Sequence, residues 1–439
     1  MRWAYRVSLS FFGIHLLFFA SAFQCRAEKL GDLRSIYNPS FNQDGSRVIV
    51  GRESGVVQIW EVTTGKMVVG DVGQRPGTSG FLVSADGRRL VTGFTDGHSR
   101  VFDATTGKPL SPLLDLQPTF EHSPWALFSP DGATLLIFGE REAVLFNIAT
   151  GKRLATIPMG KAEDMQIEAG SARFAAGGGV CFVLNSSGQV TRYDTKDGKP
   201  IGKPIQHPPA DSAMDFFLAV SDDGKWLATF DSPGENGPKG NLQVWDVGAE
   251  KPLGEPITAM NGLAARFLAN NRVLVMPERG SESDGMNVYN LPSMKVAYTL
   301  RGPDDVDRAK TETSPDGKWL LTWATYAADR RLDLFDTETG KLAGALHSHV
   351  AISAVYMAPD SSGCYVAFDN SPFEEQGYHD YYVMKLHFPE MKITQSLRLT
   401  DNVSRIALSP DGKRFVVAHG EKDKERLFFY DAATLKPLK

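Results

Sequence analysis

Cysteine is scarce in this chain: there are three in 439 residues, at Cys25, Cys181 and Cys364. That is too few for a disulfide framework, and it leaves no cysteine pair with metal-ligand spacing. An excess of charge of either sign is also missing. The 47 Lys and Arg stand against 52 Asp and Glu, a formal net charge of −5. Such a surface is soluble and does not seek nucleic acid or an anionic membrane. The signatures of common catalytic sites are absent as well: no G-x-S-x-G nucleophile elbow, no H-E-x-x-H and no phosphate-binding loop. The acidic stretches "SDDG" and "SESDG" lack the alternating acids and downstream Glu of a calcium loop. No stretch beyond residue 27 approaches the length of a membrane-spanning helix.

The first 27 residues are set apart. "MRWAYR" carries two arginines, "VSLSFFGIHLLFFASAF" is strongly apolar, and "CRA" ends on the small residue Ala27. This is the pattern of a cleaved secretory leader. The apolar run is about 17 residues, short of the roughly 20 needed to span a bilayer, and it contains His15. An uncleaved leader acting as a membrane tether is the alternative. Lipid attachment at Cys25 is disfavoured, because Phe23 and Gln24 stand where small residues are expected. Cleavage removes Arg2, Arg6 and Arg26 and no acid, so basic residues fall from 47 to 44 against 52 acids, a net charge of −8. The expected division is a leader over 1–27 and one repetitive domain over 28–439.

What the chain has in quantity is turns, with 42 Gly and 25 Pro. They recur at a period. "NQDG" ends at Gly45, "SADG" at Gly87, "SPDG" at Gly132, "SDDG" at Gly224, and further "SPDG" turns at Gly317 and Gly412. Weaker versions fill the gaps at Gly178, Asn271 and Gly363, giving intervals of 42, 45, 46, 46, 47, 46, 46 and 49 residues. Each turn is followed by an aromatic residue and then, in most units, Asp or Asn: Trp60, Phe102, Phe146, Tyr193, Trp245, Tyr289, Phe335 and Tyr430, with "KLHF" near Phe388 as a degraded member. Gly-Lys turns often come next, as at Lys66, Lys108, Lys152 and Lys341. There are nine units.

Runs such as "RVIVG", "RRLVTG" and "KWLLTW" read as short strands bounded by turns. Asp-Gly supplies the backbone freedom of a tight hairpin. The aromatic offers apolar surface to a neighbouring sheet, and the following acid can accept hydrogen bonds that hold the next turn. One such sheet cannot bury both faces, but sheets stacked around an axis can. The fold class expected is all-β: a single β-propeller of nine four-stranded blades, with eight or seven blades as alternatives.

The "SPDG…[W/F/Y]D…TGK" pattern resembles the WD40-repeat family, in an exported bacterial-type member, over essentially residues 29–439. The resemblance implies a rigid interaction platform. Related propellers also include lyases, lactonases and peptidase gates, so a propeller enzyme with a site at the central channel is the alternative. The family's structural His is matched only roughly, by His122, His207 and His349, which implies that several blades lack the usual His–Asp network. Such rings are often closed by the amino terminus completing the last sheet, and Glu28 to Arg34 is the segment available for it.

Strands are labelled a to d from the axis outward. The b–c connections are tiny in units one to four ("RESG", "FTDG", "GERE", "NSSG") and enlarged in later ones: "DSPGENGPKG", "PERGSESDG", "TYAAD", "DNSPFEEQGYHD" and "GEKDKE". In a propeller these share a rim with the d–a connections, so one half of one rim is variable and is the expected binding face. Unit eight concentrates the candidates: Phe373, Glu374, Glu375, Tyr378, His379, Asp380 and Tyr381, with His347 on the connection entering that unit. Imidazoles beside carboxylates could bind a divalent metal, but spacing alone does not bring them together, and neither metal nor cofactor is expected. Cys181 and Cys364 fall on far-apart blades, beyond the roughly 4.4–6.8 Å between Cα atoms of a disulfide, and read as two buried thiols. The functional expectation is a monomeric, non-enzymatic, periplasmic or extracellular scaffold for a protein or glycan partner.

Overall fold

The computed structural model describes residues 37–51, 56–72, 78–94, 97–116, 125–139, 142–160, 171–209, 213–233, 240–259, 263–277, 285–301, 310–323, 330–348, 350–369, 381–399, 403–419 and 426–438. They form nine antiparallel sheets, each hydrogen-bonded in chain order. Eight sheets have four strands; the ninth has three named strands among the described residues. The protein is therefore a single nine-bladed β-propeller.

One hydrogen bond recurs in every blade and fixes its register. The residue two positions after the strand c aromatic donates its N–H to a carbonyl at the end of the a–b turn. The pairs are Val62 to Ser46, Ala104 to Arg88, Ile148 to Ala133, Thr195 to Gly179, Val247 to Lys225, Leu291 to Asn271, Thr337 to Lys318, Phe388 to Ser362 and Ala432 to Lys413, at 2.8–3.1 Å. The a–b and c–d turns thus lie on one rim. By this register the left-handed turn residue in blades six and eight is Asn270 (φ 60°) and Ser361 (φ 60°). These lie one and two residues before Asn271 and Gly363, the positions expected from the sequence. Non-glycine residues hold the turn there, which is why those units read weakly.

Side chains complete the turns. In blade seven Ser314 Oγ donates to Asp316 at 2.6 Å and accepts Trp319 N–H at 2.9 Å. The same serine–aspartate pair recurs at Ser84, Ser129, Ser221 and Ser409. On the c–d turn Asp336 accepts the N–H of Thr339 at 2.8 Å and its hydroxyl at 2.9 Å. Gly87 cannot be replaced without cost: its φ is +67°, and a Cβ there would stand 2.5 Å from the backbone nitrogen of Gln43 in the preceding blade.

The strand c aromatic packs on the preceding blade each time. Tyr193 joins the core shared with blade three, Trp245 the core shared with blade four, and Tyr430 the core shared with blade eight. In blade eight Leu386, fully buried, takes the aromatic position. Burying one such side chain stabilises the fold by about 1.5–3 kcal/mol. The ring closes by the same contact. Trp60 of blade one packs on Val416, Ala418 and Phe429 of blade nine, beside Phe41, Val48 and Val50. Arg414 Nη1 also donates to the Asp44 carbonyl at 3.0 Å.

The segment Glu28 to Arg34, expected to complete the last sheet, lies outside the described residues. At the turn end of that sheet the carboxyl-terminal residues run along strand c: Asp431 N–H bonds the Lys436 carbonyl at 2.9 Å and Leu438 N–H bonds that of Phe429 at 2.8 Å.

Candidate functional site

Since the a–b and c–d turns share one rim, the b–c connections share the other. Strands b and c are separated by residues 95–97 in blade two, 139–141 in blade three and 185–188 in blade four. They are separated by 278–285 in blade six and by 370–380 in blade eight. The growth of these connections in the later blades stands, with one adjustment. Part of "DSPGENGPKG" in blade five is strand, because strand b runs Trp226–Pro233 and strand c begins at Gly240. That blade's sheet itself extends further toward the rim.

Six of the candidate residues, Phe373, Glu374, Glu375, Tyr378, His379 and Asp380, lie outside the described residues. Tyr381 opens strand c of blade eight (Tyr381–His387), paired with Asp369 on one side and Leu399 on the other. It is half-buried and packs against the core between blades eight and nine, so it anchors the base of the connection. His347 is not in the connection entering blade eight. It lies within the outermost strand of blade seven (Leu342–Ser348), exposed and opposite Arg331. The physical reason is that this strand d continues pairing to Ser348, as far as strand c extends toward the rim.

Of the three histidines near the family's structural position, His122 and His349 lie outside the described residues. His207 is buried in blade five and completes a network. Its Nδ1 is 2.8 Å from Thr229 Oγ1 and its Nε2 is 3.4 Å from Asp231 Oδ2. Trp245 Nε1 donates to the same threonine oxygen at 3.0 Å. A threonine hydroxyl that accepts from Trp245 and donates to Nδ1 goes with the tautomer whose Nε2–H faces the carboxylate. Asp231 Oδ1 in turn accepts the N–H of Asn241 at 2.5 Å, which ties the base of the b–c connection to the core.

Among the described residues no group of three or more His, Cys, Asp or Glu side chains is placed to hold a metal ion. Cys181 and Cys364 are free and buried, on strand b of blades four and eight, and burial pushes both thiols upward. Among the described residues no helix is long and apolar enough to cross a membrane.

No family profile matches the chain, and no curated protein matches it. Solved structures do match. A crystal structure of a eukaryotic initiation factor aligns at a TM-score of 0.64 and 13% identity, covering 90% of this chain and 95% of that one. The carboxyl-terminal WD40 domain of Sif2 aligns at 0.50 and 14% identity, covering 91% and 97%. At these identities the likeness is one of fold.

Proposed function

We propose that the chain is an exported, non-enzymatic propeller that binds a protein or glycan partner through the b–c rim of its later blades. The observation that carries this reading is the asymmetry of that rim. The nine blades repeat one hydrogen-bond register on the turn rim, while the opposite rim departs from regularity only over part of the ring. A closed ring with continuous inter-blade cores supplies a rigid base for such a face. The apolar leader supports export, and the low cysteine content leaves stability to the blade interfaces. A pull-down from an envelope fraction, with residues 28–439 as bait, tests it. A specific partner competed by the isolated 370–380 peptide supports the reading. A partner recovered equally by a protein lacking that segment overturns the choice of face.

A further inference from the structure

Blade seven turns two different faces to its neighbours. Toward blade eight, Leu321, Trp323, Leu332 and Leu334 enter a shared apolar core. Side chains that alternate with these along strands b (Trp319–Trp323) and c (Arg330–Asp336) face blade six. Leu320 and Phe335, at the turn end, join the core of blade six. One step nearer the b–c rim the same face carries Thr322 opposite Asp333, with Thr311 of strand a (Lys310–Thr313) on the other side of Thr322. Thr311 is 1% exposed, and Thr322 and Asp333 are 0% exposed. In every other blade from two to nine the strand a residue of this row is apolar, as at Ala126, Leu218, Ala265 and Val355. Only blade seven has a row that is polar on all three strands.

Asp333 accepts Arg331 Nε at 2.6 Å. Among the described residues the hydroxyls of Thr311 and Thr322 meet no hydrogen-bond partner, and neither does Nε of Arg266 across the seam. With the seam closed these groups stay dry; with it parted, water reaches them, which favours the parted form. The contacts that hold this half together are themselves polar. Arg266 Nη2 donates to the Thr311 carbonyl at 3.0 Å and stands 3.7 Å from Glu312 Oε2, and Nη1 is 3.4 Å from Thr313 Oγ1. Water can take their place, so they resist parting weakly. The turn end is fastened differently. Arg272 Nη1 donates to the Thr337 and Glu338 carbonyls, both at 2.8 Å, and the Tyr298 hydroxyl also donates to that of Thr337. With the apolar contact of Leu320 and Phe335, these bonds make a pivot.

We propose that the seam between blades six and seven opens from the b–c rim while its turn end stays joined, a local opening that costs far less than unfolding the ring. Opening changes the spacing of the b–c connections of these two blades. The inference does not rest on that rim being a binding face.

Thiol labelling tests it. Thr311→Cys and Thr322→Cys, made one at a time in the full chain, place a thiol in the row, and Cys181 and Cys364, 0% and 1% exposed, are standards within the same molecule. The folded protein is treated with a thiol reagent, and labelling at each site is followed by peptide mass spectrometry. Both new thiols should label at least tenfold faster than either standard, whereas Leu320→Cys at the pivot should label no faster than they do. Adding Thr322→Val should slow labelling of Thr311→Cys at least threefold, because the closed row then holds one dry hydroxyl fewer. Should Leu320→Cys fail to fold, the threonine variants still decide. Labelling of the row at the rate of the standards overturns the proposal. So does equal labelling of Leu320→Cys and Thr322→Cys, or a Thr322→Val change that slows nothing.

Discussion

His207 Nε2 and Asp231 Oδ2 face each other 3.4 Å apart inside blade five, both nearly inaccessible to water. The histidine enters from the connection that follows blade four, and the aspartate sits near the rim end of strand b. The contact therefore joins a connection between blades to the sheet it leads into. The Thr229 hydroxyl and the Trp245 indole complete the chain of donors and acceptors.

The first prediction is a contrast between two threonines. Thr229→Val should destabilise by about 1–3 kcal/mol, since it strips the partner from a buried indole N–H and a buried imidazole. Thr322 holds the same place in blade seven, where Phe335 replaces the tryptophan and the hydroxyl is buried with no hydrogen-bond partner among the described residues. Thr322→Val should be neutral or stabilising, because it removes a buried polar group that gains nothing. Denaturant midpoints of the two variants check this, and equal losses would contradict the network.

Acid should loosen the turn rim. Ser46 bonds Asp44, Ser362 bonds Asp360 and Thr434 bonds Asp431, and these hydrogen bonds hold the three carboxyls below the ordinary Asp range. A pKa lower in the folded than in the unfolded chain means that the folded state binds fewer protons in the window between the two. Stability is then fully present above the unfolded value of about 3.9 and is lost as pH falls through the folded one. The Tm of Asp431→Asn should lie below that of the unmodified protein at pH 7, and the gap should narrow as pH falls below about 3.9. A gap that does not narrow in acid would locate the effect in packing.

Cys181 and Cys364 should stay reduced and unlinked. Exposures of 0% and 1% deny them to reagents, and burial raises both thiols so that little thiolate forms. A thiol-specific reagent should label neither in the folded protein and both after unfolding. Non-reducing mass spectrometry should show no bond between them; finding one would contradict the blade order.

The fold was legible because each blade repeats the same three devices: a turn at a left-handed residue, an aromatic on strand c, and an acid that holds the next turn. Where a device changes chemistry the signal fades. Asn270 and Ser361 take the left-handed position without glycine, and Leu386 replaces the aromatic. The register there became visible only through the hydrogen bonds of the strands. His347 was misplaced from the sequence because a strand that pairs for two residues more leaves no mark in composition.

Export should remove the leader. Residues up to about Ala27 should be missing from the mature protein in its native host, and intact mass measurement reads this directly. Retention of Met1 in a soluble cytosolic protein would refute it.

The last prediction concerns the largest connection on the b–c rim. In blade eight strands b and c pair along their whole length, from Gly363 opposite His387 to Asp369 opposite Tyr381. The two ends to be joined are therefore already side by side, and a short turn can bridge them. Blade four does so between Leu184 and Gln189 with "NSSG". Replacing Ser371 to Asp380 by that sequence should leave the ring folded, because the blade-eight cores are made by Ile352, Cys364, Val366 and Leu386 on one face and by Tyr365 and Val383 on the other. A Tm within a few degrees of the unmodified protein is the expected outcome. Partner affinity should fall at least tenfold, since Phe373 and Tyr378 are aromatic side chains of the kind that anchor interfaces. Lys152→Ala and Lys341→Ala on the turn rim serve as the control and should leave affinity unchanged. Affinity that survives the loop replacement but falls with the lysine changes would move the functional face to the turn rim.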